Sequence, residues 1–537
     1  MIPILALLLA DAADLAVINA RIYTVDAGMP MARALAVKGG KLAAVGNDVS
    51  AFIGPETRVI DAKGAAVIPG LIDSHVHMES LGFQIETFDL RNLKTIAEVA
   101  EIVRKSAANK KPGEWVQGRS WDQTNWGGKF PDAEPLTKAA PDHPVFLTRV
   151  DGHAAWVNRK ALALAKITKD TKDPPGGKIE HDANGDPTGI LIDKAQGLVS
   201  RAIPPTTDEE NKRRTFLAAK ECARLGLTTV HDAGIDGQDL ASYRSLIKEK
   251  NLPVRVYAMI GGEGGLWRDY LNRGPEIGDR LTVRSIKLMA DGAMGSRGAA
   301  FFQPYSDDPG NTGLLMLKPE DIERVGRDAV KHGFQVNTHA IGDRAIRMTL
   351  DAYAKALANV NDNRRFRIEH AQAVALPDFA MFKKLNVIAS MQSTHATSDM
   401  RWAEARLGPD RVLGAYAPQR FLKIGVVVAN GSDFPVEDPN PLLGFYAGIT
   451  RQDANGYPAK GWYPEQRLTR EEALYSWTYA GAFAAFEEKT KGSLTPGKLA
   501  DFLILSEDIM QVDPKQILKA KVRMTVVGGE IVYTAAE

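Results

Sequence analysis

Both ends of the chain share one pattern, in which apolar and polar positions alternate between turn residues. Gly39 and Gly40 lie between two such stretches and predict a hairpin turn. Short strands of this kind are predicted at residues 15–19, 34–38, 42–45, 58–60, 502–505, 522–526 and 531–533. We therefore expect one small β-sandwich, built from residues 14–68 and 487–537, that brings the two ends of the chain together.

The middle of the chain has a different rhythm, in which β-branched stretches alternate with amphipathic helical ones such as residues 319–332 and 341–358. The β-branched stretches lie at residues 228–230, 254–256, 285–288, 335–339, 367–370, 387–390 and 426–429. Repeated strand–helix units predict a parallel sheet, and their number favours a closed (β/α)₈ barrel over an open sheet. We expect this barrel to span residues 69–486, with an inserted lid or side domain at about residues 81–203.

Composition narrows the class of protein. The 537 residues carry 67 Lys and Arg against 66 Asp and Glu, so the net charge is +1 and gives no reason to propose nucleic acid or an anionic membrane as a partner. Cys222 is the only cysteine, which excludes an intramolecular disulfide and a thiolate metal cluster. We interpret it as a packed small hydrophobe and expect a small-molecule substrate. The oligomeric state stays open, with a homodimer as one alternative.

The N-terminus allows two interpretations. Residues 2–10 form an apolar run too short to span a bilayer, and residues 10–12 fit the small-x-small pattern of a signal-peptide cleavage site. Against a signal peptide, no Lys or Arg precedes Arg21. Residues 1–13 are therefore either a secretory signal of an exported, periplasmic protein or the N-terminal segment of a cytoplasmic one.

The strongest chemical signal is the segment VIPGLIDSHVH at residues 67–77, a buried strand that ends on His75 and His77. Residues two apart on a strand point to the same face, so both imidazoles enter the mouth of the predicted barrel together. Neutral imidazole is a ligand for Zn, Fe, Co, Ni or Mn. A His-x-His pair alone is a weak signal, because two such histidines are often surface or hydrogen-bonded core residues.

Other candidate ligands also follow predicted barrel strands. His339 ends QVNTH, His370 ends RIEH, and Asp433 follows VVVANGS. Catalytic groups of barrels come from the carboxyl ends of the strands, so these side chains are expected to share one site. Lys287 lies within SIKLMADG, and its apolar neighbours predict that its side chain is buried. A buried ammonium needs a partner or a chemical change that removes its charge.

This ordered set resembles the amidohydrolase superfamily, and specifically its YtcJ-like branch, which includes N-substituted formamide deformylases. The resemblance covers essentially the whole chain. It rests on the segments PGLIDSHVH (69–77), RVDGH (149–153), DGAMGS (291–296), HAIGD (339–343), RIEH (367–370), GSD (431–433) and GSLTPGKLAD (492–501). One departure is GRSWD at residues 118–122, where this branch more often has Gly before the Trp; it falls in the insertion and bears on substrate range.

The resemblance implies a centre of two divalent metal ions, with zinc expected. His75, His77 and Asp433 would hold one ion, and His339 and His370 the other. Lys287, carboxylated by carbon dioxide, would bridge them as a carbamate; the alternative is a structural lysine paired with Asp291 or Glu369, which leaves a mononuclear site.

A metal-bound hydroxide would then attack the substrate carbonyl. Asp433 would transfer the proton to the leaving amine as general base and then acid. The alternative for Asp433 is a plain turn residue.

Substrate contacts are predicted from weaker signals. His153 and Asn158 are interpreted as substrate-orienting groups, with structural roles as the alternative. Trp121, Trp126 and Trp156 either line an apolar pocket for an aryl or alkyl group or form the core of the insertion. His231, which ends TTVH, is expected to line the site, and Arg297 meets either a substrate anion or a surface carboxylate. Four histidines have no metal-ligand context and are interpreted as structural: His143, His181, His332 and His395.

The sequence thus predicts a metal-dependent hydrolase that cleaves a non-peptide, amide-like carbon–nitrogen bond. Hydrolysis of an ester or lactone, or a deamination, by the same site is an alternative, because the chemistry of the attacking hydroxide is common to all. An alternative of another class is a non-catalytic binding protein on the same scaffold. That alternative predicts damaged ligand positions, whereas every expected ligand is present in the sequence.

Overall fold

The computed structural model describes residues 12–91 and 93–536. The predicted signal segment falls almost wholly on residues 1–11, so that prediction lies outside the described residues. Within the described part of the chain, none of the helices combines the length and the apolar character that crossing a membrane requires.

The strands, numbered in chain order, are β1 (Leu15–Ile18), β2 (Arg21–Tyr23), β3 (Met31–Ala32), β4 (Ala34–Lys38), β5 (Lys41–Gly46), β6 (Arg58–Asp61), β7 (Ala66–Pro69), β8 (Leu71–Val76), β9 (Val116–Trp121), β10 (Val145–Arg149), β11 (Ala154–Val157), β12 (Gly177–His181), β13 (Pro187–Asp193), β14 (Leu227–Ile235), β15 (Arg255–Gly261), β16 (Glu276–Ile277), β17 (Leu281–Met289), β18 (Gln335–Ala340), β19 (Arg367–His370), β20 (Ile388–Met391), β21 (Val428–Asn430), β22 (Phe502–Leu505), β23 (Val522–Val527) and β24 (Glu530–Thr534).

The α-helices are α1 (Met78–Glu86), α2 (Ile96–Ala107), α3 (Glu134–Ala139), α4 (Arg159–Leu164), α5 (Gln196–Ser200), α6 (Asp208–Arg224), α7 (Gly237–Lys248), α8 (Leu266–Arg273), α9 (Pro319–His332), α10 (Asp343–Ala356), α11 (Phe379–Leu385), α12 (Ser393–Arg411), α13 (Pro418–Lys423), α14 (Pro441–Thr450), α15 (Arg470–Ser476), α16 (Tyr479–Ala484) and α17 (Pro514–Ile517).

Eight parallel strands form a nearly closed barrel in the order β8-β14-β15-β17-β18-β19-β20-β21. At the mouth, the first and last strands are joined through the segments that follow them. The amide of Asp433 donates to the carbonyl of His75 at 2.8 Å, and the amide of His77 donates to the carbonyl of Phe434 at 2.9 Å. Helices such as α9 and α10 pack outside the strands, so both faces of the sheet are covered and most strand residues are buried. The predicted (β/α)₈ barrel is confirmed.

The terminal segments form two sheets, one of N-terminal strands alone and one of strands from both ends of the chain. One has the order β5-β4-β1-β6, and the other has the order β24-β23-β22-β7-β2-β3, in which C-terminal β22 pairs antiparallel with N-terminal β7. The buried side chain of Arg255, on β15, contacts Asp501 at 2.9 Å and so ties the barrel to this C-terminal region. Neighbouring strands in space therefore come from opposite ends of the sequence.

The stretch between α1 and α5 carries its own five-stranded sheet, ordered β12-β13-β11-β10-β9. Trp121, Trp126 and Trp156 pack together beside this sheet, with ring centroids 6.0–6.4 Å apart. The parallel pairing of β9 with β10 skips Ser120, which adopts the left-handed conformation with φ +74°. A bulge of this kind turns the end of the strand and redirects its side chains, here beside the mouth of the barrel.

Candidate metal centre

All of the side chains that the sequence predicts as metal ligands line one cavity of about 310 Å³. It lies where the barrel strands end, and the insertion contributes its outer wall. The predicted ligands that it brings together are His75, His77, Lys287, His339, His370 and Asp433. This location follows from parallel strands, whose carboxyl ends all meet at the same mouth.

His75 and His77 are fixed from behind by different acceptors. The Nδ1 atom of His75 lies 2.6 Å from Oε2 of Glu369, and Nδ1 of His77 lies 3.0 Å from the carbonyl oxygen of Ala233. The Nε2 atoms of the two rings lie 3.7 Å and 3.2 Å from Oδ1 of Asp433. Because Nδ1 is occupied by an acceptor in each ring, Nε2 is the nitrogen available to a ligand.

Asp433 lies in the turn after β21 and adopts the left-handed conformation, with φ +61°. The turn is held by Asp73, which accepts hydrogen bonds from the backbone and hydroxyl of Ser432 at 2.9 Å and 2.6 Å. Burial by itself raises the pKa of Asp433, but the close contact with His77 and the neighbouring imidazoles hold that pKa below its ordinary value. Asp433 is therefore an ionised carboxylate in the cavity.

The remaining predicted ligands lie against this group. The ring of His370 is 4.7 Å from that of His75 and 4.6 Å from that of His339, measured between centroids. Burial lowers the pKa of His75 to about 4, with a smaller contribution from the charge of Lys287. Burial likewise holds the pKa of His339 and of His370 well below the ordinary value. These imidazoles are neutral and keep a lone pair for a ligand.

Lys287 lies on β17 with Nζ 3.1 Å from Nε2 of His75. Within the described chain its ammonium forms an ion pair with neither Asp291 nor Glu369, the partners that a purely structural role predicts. Burial lowers the pKa of Lys287 to about 8. Carboxylation by carbon dioxide requires a neutral amine, and the lowered pKa raises the neutral fraction above that of an exposed lysine.

The donor chemistry of the cavity fits a divalent transition metal. The ligand atoms of His75, His77 and Asp433 all lie within 4.8 Å of one another, and the same holds for His370, His395 and Asp433. Imidazole nitrogens and carboxylate oxygens are ligands that zinc and related ions prefer. Oδ1 of Asp433 is also buried without a hydrogen bond in the described structure, which is costly unless a cation neutralises it.

The structure corrects the interpretation of His395 as a structural residue, because its side chain lines the cavity. Its Nε2 lies 3.7 Å from Oδ2 of Asp433, and its ring is 5.9 Å from that of His370. His395 is in the first turn of α12, directly after β20. The signal that identifies it is therefore its place just beyond a barrel strand, since the residue does not end the strand itself.

A buried charge network supports the site from below. Arg367 contacts Glu369 at 2.7 Å and His231 at 3.0 Å, and these residues are fully buried. Burial, followed by the charge of Arg367, holds the pKa of His231 well below its ordinary value. The sequence did not indicate this network, because arginine and glutamate two apart on a strand are more often exposed.

The structure places only one of the residues predicted to contact substrate in the cavity. His153 lines the cavity, whereas the others belong to other parts of the described structure. Trp121 is in the core of the insertion and donates to the carbonyl of Leu147 at 2.8 Å.

Asn158 is a buried N-cap, whose side-chain oxygen accepts from the amide of Ala161 at 3.0 Å. His231 is beneath the cavity, against Arg367, and Arg297 pairs with Asp307 at 2.8 Å outside it. The structural alternatives therefore hold for these three residues. Asn158 caps a helix, Trp121 packs in the core of the insertion, and Arg297 forms an ion pair outside the cavity.

The rim of the cavity joins the insertion to the barrel. Arg401, on α12, contacts Asp122 of the insertion at 2.5 Å and donates to Asn125 at 2.8 Å. Asp122 also pairs with the buried Arg149 at 2.9 Å. The apolar part of the lining includes Met289, Met294, Trp402 and Val436. The cavity therefore presents polar side chains at its floor, and both charged and apolar side chains at its rim, to a small molecule.

Comparison with known proteins places this site in context. The model of the amidohydrolase family matches residues 58–533. Protein LONG AFTER FAR-RED 3 of Arabidopsis thaliana is 36% identical, covering 97% of this chain and 92% of its own. The YtcJ amidohydrolase of Bacillus subtilis is 32% identical, covering 89% and 91%. The N-substituted formamide deformylase of Arthrobacter pascens is 28% identical, covering 97% and 98%.

A solved structure is similar over nearly the same length. A metal-dependent hydrolase from Pyrococcus horikoshii superimposes with a TM-score of 0.75 at 29% identity, covering 93% of this chain and 99% of that one. The resemblance to the YtcJ-like branch that the sequence motifs indicated is confirmed by these relatives.

Proposed function

The chain belongs to the amidohydrolase family, and we propose that it hydrolyses a non-peptide, amide-like carbon–nitrogen bond of a small molecule with the help of divalent metal ions. Hydrolase chemistry is the property that the family and the metal-dependent structural relative support directly. The amide-like carbon–nitrogen bond is the more specific proposal. It is favoured by similarity over nearly the full length to an N-substituted formamide deformylase.

The observation that carries the proposal is the position of Asp433 among imidazole side chains. Its two oxygens lie 3.2 Å from His77 and 3.7 Å from His395, on opposite sides of the carboxylate. A carboxylate beside two sets of imidazole ligands is able both to bind a cation and to exchange a proton with a bound reactant.

We propose ligands for two ions from the donor set and from the family resemblance. His75, His77 and Asp433 would hold one ion, and His339, His370 and the carbamate of Lys287 the other. Bound ions would lower the pKa of water towards neutrality and polarise the substrate carbonyl.

The protein's own groups supply the remaining steps. Asp433 accepts the proton of the attacking water and delivers it to the leaving nitrogen, so that an acid and an amine are released. Glu369 keeps the ring of His75 oriented through Nδ1, at 2.6 Å. The cavity of about 310 Å³ is at the lower end of the usual range for small-molecule sites, which suits a compact substrate.

Two alternative functions are compatible with the same site. An ester or lactone hydrolase, or a deaminase, would use the same ligands, because each reaction begins with attack by activated water. A non-catalytic binding protein on this scaffold would bind the ions without turnover.

The experiment compares kcat/KM for N-benzylformamide, benzyl formate and adenine, which present an amide, an ester and an exocyclic amine. We expect the amide to be the best substrate, and Asp433→Asn to lower its kcat/KM by about 10²- to 10⁴-fold. Asp438→Asn is the matched control, because Asp438 is exposed five residues further along and lies outside this cavity. Turnover of only the ester or the amine would contradict the bond assignment. Full activity of Asp433→Asn would contradict its role in proton transfer.

A further inference from the structure

His153 is the side chain of the insertion that faces the barrel ligands most directly. Its ring centroid lies 5.2 Å from that of His339, and its side chain is 12% exposed, where it lines the cavity. The backbone is held in place, because the amide of His153 donates to Oδ1 of Asp151 at 3.0 Å. Asp151 in turn pairs with the buried Arg149. The ring therefore enters the cavity from a fixed loop.

Asp193 holds this ring from the other side. Its Oδ1 lies 2.6 Å from Nδ1 of His153, and its side chain is fully buried. The two residues are also joined through the backbone, where the amide of Asp193 donates to the carbonyl of His153 at 2.9 Å. With Nδ1 directed at a carboxylate, Nε2 is the ring nitrogen that remains for the cavity.

The barrel leaves space for this carboxylate by means of two glycines. A Cβ atom on Gly292 or on Gly298 would lie 2.6 Å or 2.5 Å from Oδ2 of Asp193. Any other residue at either position would therefore displace the carboxylate. Both glycines flank the loop after β17, so the carboxylate of the insertion is seated in a barrel loop.

Asp193 also carries two costs that a purely structural residue would not need. It adopts the left-handed conformation, with φ +48°, which is unfavourable for a residue with a Cβ. Its Oδ2 is buried and has no hydrogen-bond donor within the described chain. A neutral side chain at the end of β13 would avoid the desolvation of a carboxylate. Features of this kind are characteristic of sites where a side chain is held for function.

We infer that Asp193 is a positioning residue that fixes His153 through Nδ1, so that Nε2 of His153 contacts the scissile group of the substrate from the insertion side of the cavity. This inference rests on the proposed hydrolase function. Asp193 itself does not touch the substrate; it acts through the orientation of His153.

A double-mutant cycle tests the coupling. Asp193→Asn, His153→Gln and the double variant are compared with the wild type in kcat/KM and in KM separately. We expect each single substitution to lower kcat/KM by about 10- to 100-fold, as for the loss of a hydrogen bond to a charged group. Asp193→Asn should add nothing once His153 is replaced. Asp132→Asn is the matched control, because Asp132 is an exposed residue of the insertion that accepts from the amide of Glu134 and lies outside the cavity.

The cycle is measured on N-benzylformamide and on benzyl formate. A preference for the ester would contradict the proposed carbon–nitrogen specificity, but the coupling would still be measured on the ester. Additive losses in the double variant on the preferred probe would overturn the inference, since independent structural effects add.

A spectroscopic measurement on the metal-free protein gives a second readout without a substrate. A histidine Nδ1–H that donates to a carboxylate at 2.6 Å should give a strongly downfield proton resonance. We expect Asp193→Asn and His153→Gln to remove the same resonance, and Asp132→Asn to retain it. A spectrum unchanged by Asp193→Asn would contradict the pairing on which the inference depends.

Discussion

The carboxylate of Glu369 is the most informative buried group to change, because it contacts both a charge and a candidate ligand. Oε1 lies 2.7 Å from Nε of Arg367, and Oε2 lies 2.6 Å from Nδ1 of His75. All three side chains are 0% exposed. Glu369→Gln keeps the shape of the side chain and removes its charge, so the effect reports the electrostatic part of these contacts.

The magnitude follows from burial. Removing one partner of a buried ion pair costs about 3–5 kcal/mol, because the remaining charge is left uncompensated. Glutamine retains an oxygen that accepts from one neighbour, so we expect the lower end, a loss of about 3 kcal/mol in the free energy of unfolding. The carboxylate also orients a candidate metal ligand, and removing such a partner weakens metal binding by about 10- to 100-fold.

Urea unfolding of metal-free protein measures the first quantity, and competition with a chromophoric chelator measures the second. Glu488→Gln is the matched control, because Glu488 pairs with Arg365 at 2.8 Å but is partly exposed and lies outside the cavity. We expect the control to lose about 1 kcal/mol or less and to bind metal normally. If Glu369→Gln matched the wild type in both measurements, the electrostatic account of the site would be refuted.

Two further substitutions test the backbone around the cavity. Ser120→Gly should raise the free energy of unfolding by about 1 kcal/mol, because it relieves the left-handed conformation at φ +74°; a loss of stability in urea would contradict this. Gly431→Ala should cost about 1–3 kcal/mol and lower metal affinity, since its Cβ would lie 2.7 Å from Oδ1 of Asp73 and 2.8 Å from the amide of His75. Gly237→Ala, with open space around the added methyl, should be neutral in the same assays.

The barrel was predictable from local pattern because its strands are buried on both faces. β19 spans the same residues as its predicted stretch, 367–370, and α9 matches the predicted helix at residues 319–332. Apolar strands between amphipathic helices are compatible with few other folds. The bulge at Ser120 was not predictable, since the skipped pairing depends on the register between two strands.

The candidate site was predictable where a side chain ends a strand, because strand ends converge in a barrel. His75, His339 and His370 are of this type. His395 and Asp193 were missed for a physical reason. His395 lies on a helix beyond its strand, and Asp193 acts through a contact between residues 40 apart, which no local periodicity reports.

Trp121 and Asn158 are the opposite case, because the sequence suggests substrate contacts for them and the structure places both outside the cavity. Trp121 and Asn158 have chemistry suited to substrate contacts, yet the same chemistry serves a core and a helix cap. The residue type therefore indicates what a side chain is able to bind, and only its neighbours in space decide what it contacts.

The metal content of the purified protein, determined per folded chain by mass spectrometry after incubation with zinc and bicarbonate, is the direct test of a two-metal site. We expect about two ions per chain, as in bridged two-metal sites, and about one in Lys287→Met. The rate of N-benzylformamide hydrolysis after this incubation should rise in proportion to the number of bound ions. A metal content near zero in the wild type after this incubation would contradict the account.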